Sequence, residues 1–202
     1  MFDRAWLLTW TCYGNWLPGD ARGFVGYHPT ERGGREIHNR SGTDYDRDVP
    51  WLREYSRTIQ KGEAVRLTAE QAAEVLGQFG ETAAHRGWLL PAAAVMANHV
   101  HLVVLVTADP EPETLLHSFK SYASRRLNRA GGRRDWWTAS GSTRKLPDER
   151  AIRAAVRYVR DQAGALAVRV DENWLPGPPT GHADAPGRAG SVMTRVATGP
   201  GS

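Results

Sequence analysis

The chain has 202 residues, of which 41% are hydrophobic and 9% aromatic, and this length and composition predict one domain with a single core. No apolar run approaches the ~20 residues that a membrane span needs, and the first residues lack the small-residue cleavage site of a secretory signal. Cys12 is the one cysteine, which excludes an internal disulfide framework and a zinc site built from cysteines. We therefore expect a soluble protein of the reducing bacterial cytoplasm, at the nucleoid, with no membrane partner.

Positive charge is concentrated in one part of the chain. The formal net charge is only +4, but residues 118–160 contain twelve Lys or Arg and three acids. Most of the basic residues are Arg, whose planar guanidinium suits phosphate contacts. This segment therefore predicts contact with a nucleic-acid backbone, and the alternative is a solvated basic face.

The first third of the chain predicts a strand, a long insertion and a capped helix. Residues 5–12 combine Trp, Thr and Leu in a way typical of a strand. From about 13 to 66 the sequence is rich in Gly, Arg, Asp and Pro and lacks periodicity, so we expect an irregular insertion with short elements. Thr68 and Gln71 form a capping box, which predicts a helix that ends near Arg86.

The remaining elements alternate between strands and helices. The segment 88–97 predicts a strand, and 98–106, the most β-branched run of the chain, predicts a central strand. Apolar residues at helical spacing predict a helix over 113–130, followed by a short strand near 143–146 and a third helix from 148 to about 163.

This order of elements predicts an α+β fold. An antiparallel sheet covered by helices accommodates it, and a ferredoxin-like sandwich is the simplest such architecture. We expect a single domain over 1–175. Residues 176–202 are mostly Pro, Gly, Ala and Thr with almost no apolar periodicity, which predicts a disordered tail.

A histidine pair is the sharpest chemical feature. His99 and His101 lie two apart on the predicted central strand, so their side chains point to the same face and could share one divalent cation. The alternative is that two imidazoles decorate a solvent face. The strongly apolar strand argues against that alternative, because unsatisfied polar groups are costly to bury.

The third predicted helix carries a second feature. Tyr158 and Gln162 are one turn apart and share a face with Ala151 and Ala155, whose small side chains leave room for a substrate to approach. A tyrosine beside a core stripe is also a common packing residue. Tyr158 therefore has two interpretations, nucleophile and packing residue.

Together the two features suggest one reaction. A tyrosine hydroxyl is a poor nucleophile at its normal pKa near 10, so it needs an electrophile polarised by a metal and held in line. A phosphodiester supplies that electrophile. Two His nitrogens and the Gln162 carbonyl would leave open positions on Mg²⁺ or Mn²⁺ for phosphate oxygens and the departing 3′-oxygen.

These residues also resemble a known family. NHVHLVV is similar to the His-hydrophobic-His motif of the HUH nucleases, and Tyr158 with Gln162 resembles the catalytic helix of the single-tyrosine HUH transposases. The segments TWTCYGNWLPGDARGF, KSYASRRLN and GSTRKL resemble more closely the REP-associated tyrosine transposases, the chromosomal relatives of those insertion-sequence enzymes. The resemblance covers about residues 5–170.

The resemblance implies a mechanism and a substrate. It implies a ferredoxin-like sheet of the HUH type, a metal held by His99, His101 and a polar residue of the tyrosine helix, and attack by Tyr158 on hairpin-bearing single-stranded DNA. The products would be a 5′-phosphotyrosine intermediate and a free 3′-hydroxyl. Many REP-associated members follow the tyrosine helix with Asn-Pro, whereas this chain has Asp161 and Gln162, so the third ligand stays open.

The basic segment interleaves cations with aromatic rings, a combination typical of proteins that bind single-stranded nucleic acid. The expected DNA-binding residues are Lys120, Arg125, Arg126, Arg129, Arg133, Arg134, Trp136 and Trp137.

Tyr122 competes with Tyr158 as nucleophile. The residue four positions after Tyr122 is Arg126, which cannot bind a metal, and the apolar stripe around Tyr122 predicts a core position.

The sequence leaves two main classes of function open, and a third is compatible with the same fold. The first is a metal-dependent enzyme that cuts and rejoins single-stranded DNA at hairpins or repeats, as a monomer or homodimer. The second is a non-cutting module that binds repeat DNA on the same fold. An RNA-processing protein is the third, and ribose dependence would distinguish it.

Overall fold

The structure is a computed structural model of the chain, and it describes residues 2–20, 26–29, 34–38, 50–174 and 192–197. The helices are α1 (Pro50–Thr58), α2 (Ala69–Arg86), α3 (Pro112–Gly131) and α4 (Glu149–Arg160). The strands are β1 (Arg4–Thr11), β2 (Gly26–Pro29), β3 (Arg35–His38), β4 (Leu89–Val95), β5 (His99–Val106), β6 (Ser142–Lys145), β7 (Ala167–Asp171) and β8 (Val192–Val196). The chain divides into two compact units, an insertion unit of residues 12–65 and a sheet unit of the remainder.

The sheet unit has a ferredoxin-like core. Its six-stranded sheet has the order β6-β1-β5-β4-β7-β8, and neighbouring strands are antiparallel throughout. The path β1-α2-β4-β5-α3-β6 is the split βαβ arrangement, in which β5 lies between β1 and β4. The predicted α+β fold is confirmed.

Local signals in the sequence explain where the elements begin and end. Thr68 and Gln71 form the reciprocal capping box that begins α2. Gly87 ends this helix in the left-handed region, at φ 67°, which favours glycine. Pro91 lies in β4 at a shift of register between Leu89 and Ala92, as expected for a residue with no N–H to donate.

Each face of the sheet packs against different helices. On one face Trp10 of β1 contacts Phe79 of α2, which in turn contacts Phe119 of α3, each pair edge to face. On the other face α4 buries Val156 and Val159 in a cluster with Val103 of β5. Because side chains alternate along a strand, His99 and His101 lie on the same face as Val103, beneath α4.

The C-terminal part of the sheet differs from expectation in three ways. β7 was not predicted, and α4 ends at Arg160 rather than near residue 163, with Asp161 as its C-cap. Within the predicted disordered tail, β8 pairs antiparallel with β7, and all five of its residues are exposed. Backbone hydrogen bonds to an open sheet edge therefore hold β8, and no buried face marks it in the sequence. The other residues of 176–202, apart from Ala197, lie outside the described part of the chain.

The insertion unit coincides with the predicted irregular insertion and contains a β2–β3 hairpin and α1. The backbone N–H of Val65 donates to the Tyr13 carbonyl at 2.8 Å, and the Asn15 side-chain amide donates to the Val65 carbonyl. These bonds join the two ends of the unit. Across the described residues of both units, every helix is too short or too polar to cross a membrane.

Candidate active site

The two histidines converge as the strand geometry requires. The ring centroids of His99 and His101 are 5.0 Å apart, and the rings are nearly perpendicular. His101 is buried, with 7% of its surface exposed, while His99 is partly exposed at the start of β5. The predicted juxtaposition of the two imidazoles is therefore present in the folded chain.

Each imidazole is oriented through its Nδ1 atom. Nδ1 of His99 lies 2.7 Å from Oδ1 of Asn98, and because that oxygen can only accept, the imidazole nitrogen donates. Nδ1 of His101 lies 2.7 Å from Oγ1 of Thr9, which β1 places directly opposite His101. A neutral imidazole that donates from Nδ1 keeps its lone pair on Nε2, the atom that can bind a metal.

The tyrosine reaches this pair from α4. Asp148 begins the helix, since its carboxylate accepts from the backbone N–H of Ala151 at 2.7 Å. Val156 and Val159 pack on the sheet, and Tyr158 lies above His101 with its Oη atom 3.3 Å from Nε2. Half of the tyrosine surface stays exposed, so a substrate can reach the hydroxyl.

Electrostatics favour neutral His101. Burial, and to a smaller extent the neighbouring His99, lower its pKa from 6.5 to about 4. A neutral ring satisfies both contacts when Nδ1 donates to Thr9 and Nε2 accepts the phenol proton of Tyr158. His101 is thus poised as an acceptor at neutral pH.

Gln162 lies beyond the helix that was expected to carry it. Its side-chain amide donates to the Tyr158 carbonyl at 3.0 Å, one of the carbonyls that the end of α4 leaves without a helical partner. The helix ends at Arg160, and Asp161, which is its C-cap, pairs with the Arg160 side chain. The assignment of the Gln162 side-chain oxygen as a third metal ligand stays a prediction.

The donor set fits a metal that takes most of its ligands from elsewhere. Among the described residues, no cluster of three or more His, Cys, Asp or Glu could hold a metal ion. Nε2 of His99 and His101 would be the main protein donors, with the Gln162 carbonyl as a third. A six-coordinate cation held by so few protein atoms keeps positions for phosphate oxygens and water.

Part of the predicted DNA-binding set is buried in the fold. Nε1 of Trp136 donates to Asn128, and Nε1 of Trp137 donates to the Lys120 carbonyl; both rings are buried. The ammonium group of Lys120 donates to the carbonyls of Thr138, Ala139 and Ser140, and burial lowers its pKa to about 8. The predicted stacking surface of Trp136 and Trp137 is therefore corrected: these rings are buried, and together with Lys120 they hold the loop after α3.

The arginines of the segment differ in their surroundings. Arg126 pairs with Glu74 of α2, and the guanidinium groups of Arg125 and Arg134 lie over the rings of Tyr122 and Trp136. Arg129 and Arg133 are exposed. Tyr122 lies on α3, on the face of the sheet opposite the histidine pair. The structure therefore brings Tyr158, and not Tyr122, to the histidines.

Thr9 is the site residue that sequence reasoning missed. Its role depends on the antiparallel register of β1 and β5, which joins residues 92 positions apart. A threonine two residues from the end of a strand rich in Trp and Leu is the only local signal for it. Asn98, the residue that precedes β5, is a second residue that orients an imidazole, and its side chain accepts from Nδ1 of His99.

Comparison with known proteins gives a family. The profile of the family described as "Transposase IS200 like" matches residues 51–162, more than half of the chain. One similar solved structure is a REP-associated tyrosine transposase bound to a REP hairpin, with 11% identity, a TM-score of 0.45 and coverage of 79% of this chain and 66% of that one. Another, described as a transposase of Deinococcus radiodurans R1, has 16% identity, a TM-score of 0.42 and coverage of 82% and 95%. This chain thus spans just under two thirds of the first of these proteins. No curated protein sequence matches it.

Proposed function

Because the chain belongs to the IS200-like transposase family, whose activity class is DNA cleavage and transposition, we propose that it cuts and rejoins single-stranded DNA through Tyr158. The single observation that carries this proposal is the 3.3 Å separation between Oη of Tyr158 and Nε2 of His101. The substrate is DNA with hairpins or repeats flanked by single strands. A hairpin is what the similar REP-associated protein binds.

The chemistry is a transfer of one phosphodiester bond. Oη of Tyr158 bonds to phosphorus as the bond from phosphorus to the 3′-oxygen breaks, and the phenol proton is exchanged for a proton on the departing oxygen. The products are a 5′-phosphotyrosine and a 3′-hydroxyl. Because one phosphodiester replaces another, a second 3′-hydroxyl can reverse the step and join a new strand.

Each side chain of the site has one task in this reaction. A divalent ion such as Mg²⁺ or Mn²⁺, held by His99, His101 and Gln162, would polarise the phosphate and stabilise the departing oxygen. Thr9 and Asn98 fix the imidazoles, and α4 presents the tyrosine hydroxyl to the same point. Such preorganisation lowers the barrier because the groups are already oriented before the reaction.

Phosphate binding by the basic segment belongs to the same proposal. The exposed members Arg125, Arg129, Arg133 and Arg134 contact the DNA backbone, with Arg126 at their edge. Lys120, Trp136 and Trp137 support this surface from below by holding the loop after α3. Backbone contacts of this kind position the strand and carry no sequence information.

The test uses DNA hairpins that flank the gene, each with single-stranded arms, labelled at either the 5′ or the 3′ end. With Mg²⁺ or Mn²⁺, the 3′-labelled fragment is expected to stay on the protein in a denaturing gel, and the 5′-labelled fragment to leave with an extendable 3′-hydroxyl. His99→Ala and His101→Ala abolish the adduct and spare DNA binding, whereas His117→Ala, at an exposed histidine of α3, retains both. If the native chain makes no adduct with either metal, a non-cutting repeat-binding module is the better account.

A further inference from the structure

A cleft opens beside the candidate active site, between α4 and the strands β1 and β6. Its volume is about 450 Å³, within the range of small-molecule sites. Tyr158 is part of its lining, so the cleft adjoins the side chain that is proposed as the nucleophile. Its lining consists of Leu7, Thr9, Ser142, Arg144, Ala154, Ala155 and Tyr158.

The register of the sheet explains this lining. β6 pairs with β1 so that Ser142 lies opposite Thr9 and Arg144 opposite Leu7, and all four therefore share the face that α4 covers. Gly141 permits the close approach of β6, because a Cβ there would lie 2.8 Å from the Thr9 carbonyl oxygen. α4 packs mainly on β4, β5 and β7, which leaves the β1–β6 side of this face open.

The chemistry of the cleft matches one nucleotide. Leu7, Ala154 and Ala155 supply apolar contact for a sugar and base, and the hydroxyls of Thr9 and Ser142 supply polar contact. Arg144 is exposed and makes no ion pair within the described residues, so its guanidinium is available to a phosphate. Alanine at 154 keeps the cleft open, since a longer side chain there would fill it.

On the basis of the proposed function, we infer that this cleft binds the nucleoside on the 3′ side of the scissile phosphate and that Arg144 contacts the following phosphate. In an in-line displacement the departing 3′-oxygen lies opposite the tyrosine oxygen. The nucleoside that leaves is therefore on the far side of phosphorus from Tyr158. The nucleoside that is retained on the protein is joined to phosphorus through an equatorial oxygen, beside the line of attack, and a cleft lined by Tyr158 can receive it there.

The first test measures binding without cleavage. The four 5′-phosphorylated homotrinucleotides are titrated into the metal-free protein and followed by the backbone amide signals of Leu7, Thr9 and Ser142. At least one is expected to shift these signals in the native chain and not in Ala154→Leu, a change that keeps high helix propensity. Arg144→Gln weakens binding about tenfold, while Lys145→Gln, at the neighbouring residue on the opposite face of β6, does not.

Several outcomes of this test would overturn the inference: no shift at these amides with any trinucleotide, equal binding by Ala154→Leu, or equal losses in Arg144→Gln and Lys145→Gln. The two β6 variants keep the test decisive even if Ala154→Leu does not fold. Since no cleavage is needed, the result is separate from the fate of the proposed function.

The second test locates the nucleoside. An abasic residue on the 3′ side of the mapped cleavage position is expected to slow adduct formation by the native chain at least tenfold and to have little further effect in Ala154→Leu. An abasic residue on the 5′ side should act equally on both proteins. The assignment would be contradicted if the Ala154→Leu change altered the effect of the abasic residue only on the 5′ side. It would also be contradicted if that change altered the effect at neither position.

Discussion

Oη of Tyr158 lies 3.3 Å from Nε2 of His101, the same imidazole atom that would bind a divalent ion. The hydroxyl and a bound metal would therefore compete for one lone pair. We therefore expect this contact to weaken metal binding in the absence of DNA.

Removing the hydroxyl tests that competition. Tyr158→Phe is expected to bind Mn²⁺ several-fold more tightly than the native chain, because a typical hydrogen bond contributes about 1 kcal/mol and no longer has to be broken. Isothermal titration without DNA measures this affinity. An affinity that is unchanged or lower would mean that the metal does not use Nε2 of His101.

The orientation of His101 by Thr9 gives a second prediction. Thr9→Val keeps the shape of the side chain and removes the 2.7 Å contact to Nδ1, so Mn²⁺ affinity should fall by about tenfold, as for other partners of metal-bound histidines. Thr143→Val on β6 is the matched control, since Thr143 lies opposite Leu8, on the other face of the sheet. If both variants bind equally well, Thr9 does not position the ligand.

A third prediction concerns pH. Burial lowers the pKa of His101 from 6.5 to about 4, so the unfolded chain binds this proton more readily than the folded chain. The contribution of neutral His101 to the free energy of unfolding is complete above pH 6.5. It is lost as the pH falls towards 4 and changes little below that. Urea denaturation in the presence of a chelator measures the free energy of unfolding over this interval. It should decline less for His101→Gln than for the native chain, by at most about 1.4 kcal/mol per pH unit. Equal slopes would contradict a buried, neutral His101.

The basic segment contains Lys120, which holds a loop, and exposed arginines that are proposed to bind DNA, and this gives a fourth prediction. Lys120→Met should lower the free energy of unfolding by about 1–3 kcal/mol, because three backbone carbonyls lose their donor. It should leave the salt dependence of DNA binding unchanged. Arg129→Gln and Arg133→Gln should each reduce the log–log salt slope by about 0.7 at little cost in stability. If Lys120→Met instead reduced the salt slope and the two arginine variants instead lowered the free energy of unfolding, the structural and DNA-binding roles would have to be exchanged.

Much of the fold could be predicted because its signals are local. The capping box of Thr68 and Gln71, the left-handed Gly87 and the β-branched run of β5 each act within a few residues. β8 lacks such a signal, because its five residues are exposed and are held by backbone bonds to β7. A strand that buries no face leaves no apolar pattern in the sequence.

The candidate site divides in the same way. The spacing of His99 and His101 on a strand predicts that they share a face, and the observed ring separation of 5.0 Å agrees with it. The contact between Thr9 and His101 depends on strand register between distant segments, which no local pattern specifies. The sequence predicts Gln162 on the helix, but the helix ends two residues earlier, at Arg160, with Asp161 as its C-cap.

The most direct measurement compares Tyr158→Phe with Tyr122→Phe in the adduct assay on the gene-flanking hairpins with Mn²⁺. A phenyl ring keeps the packing of tyrosine and loses only the hydroxyl, so both variants should fold and bind DNA. We expect no covalent adduct from Tyr158→Phe and a native yield from Tyr122→Phe, whose ring lies across the sheet from the histidines. An adduct that persists in Tyr158→Phe and disappears in Tyr122→Phe would contradict the assignment of the nucleophile.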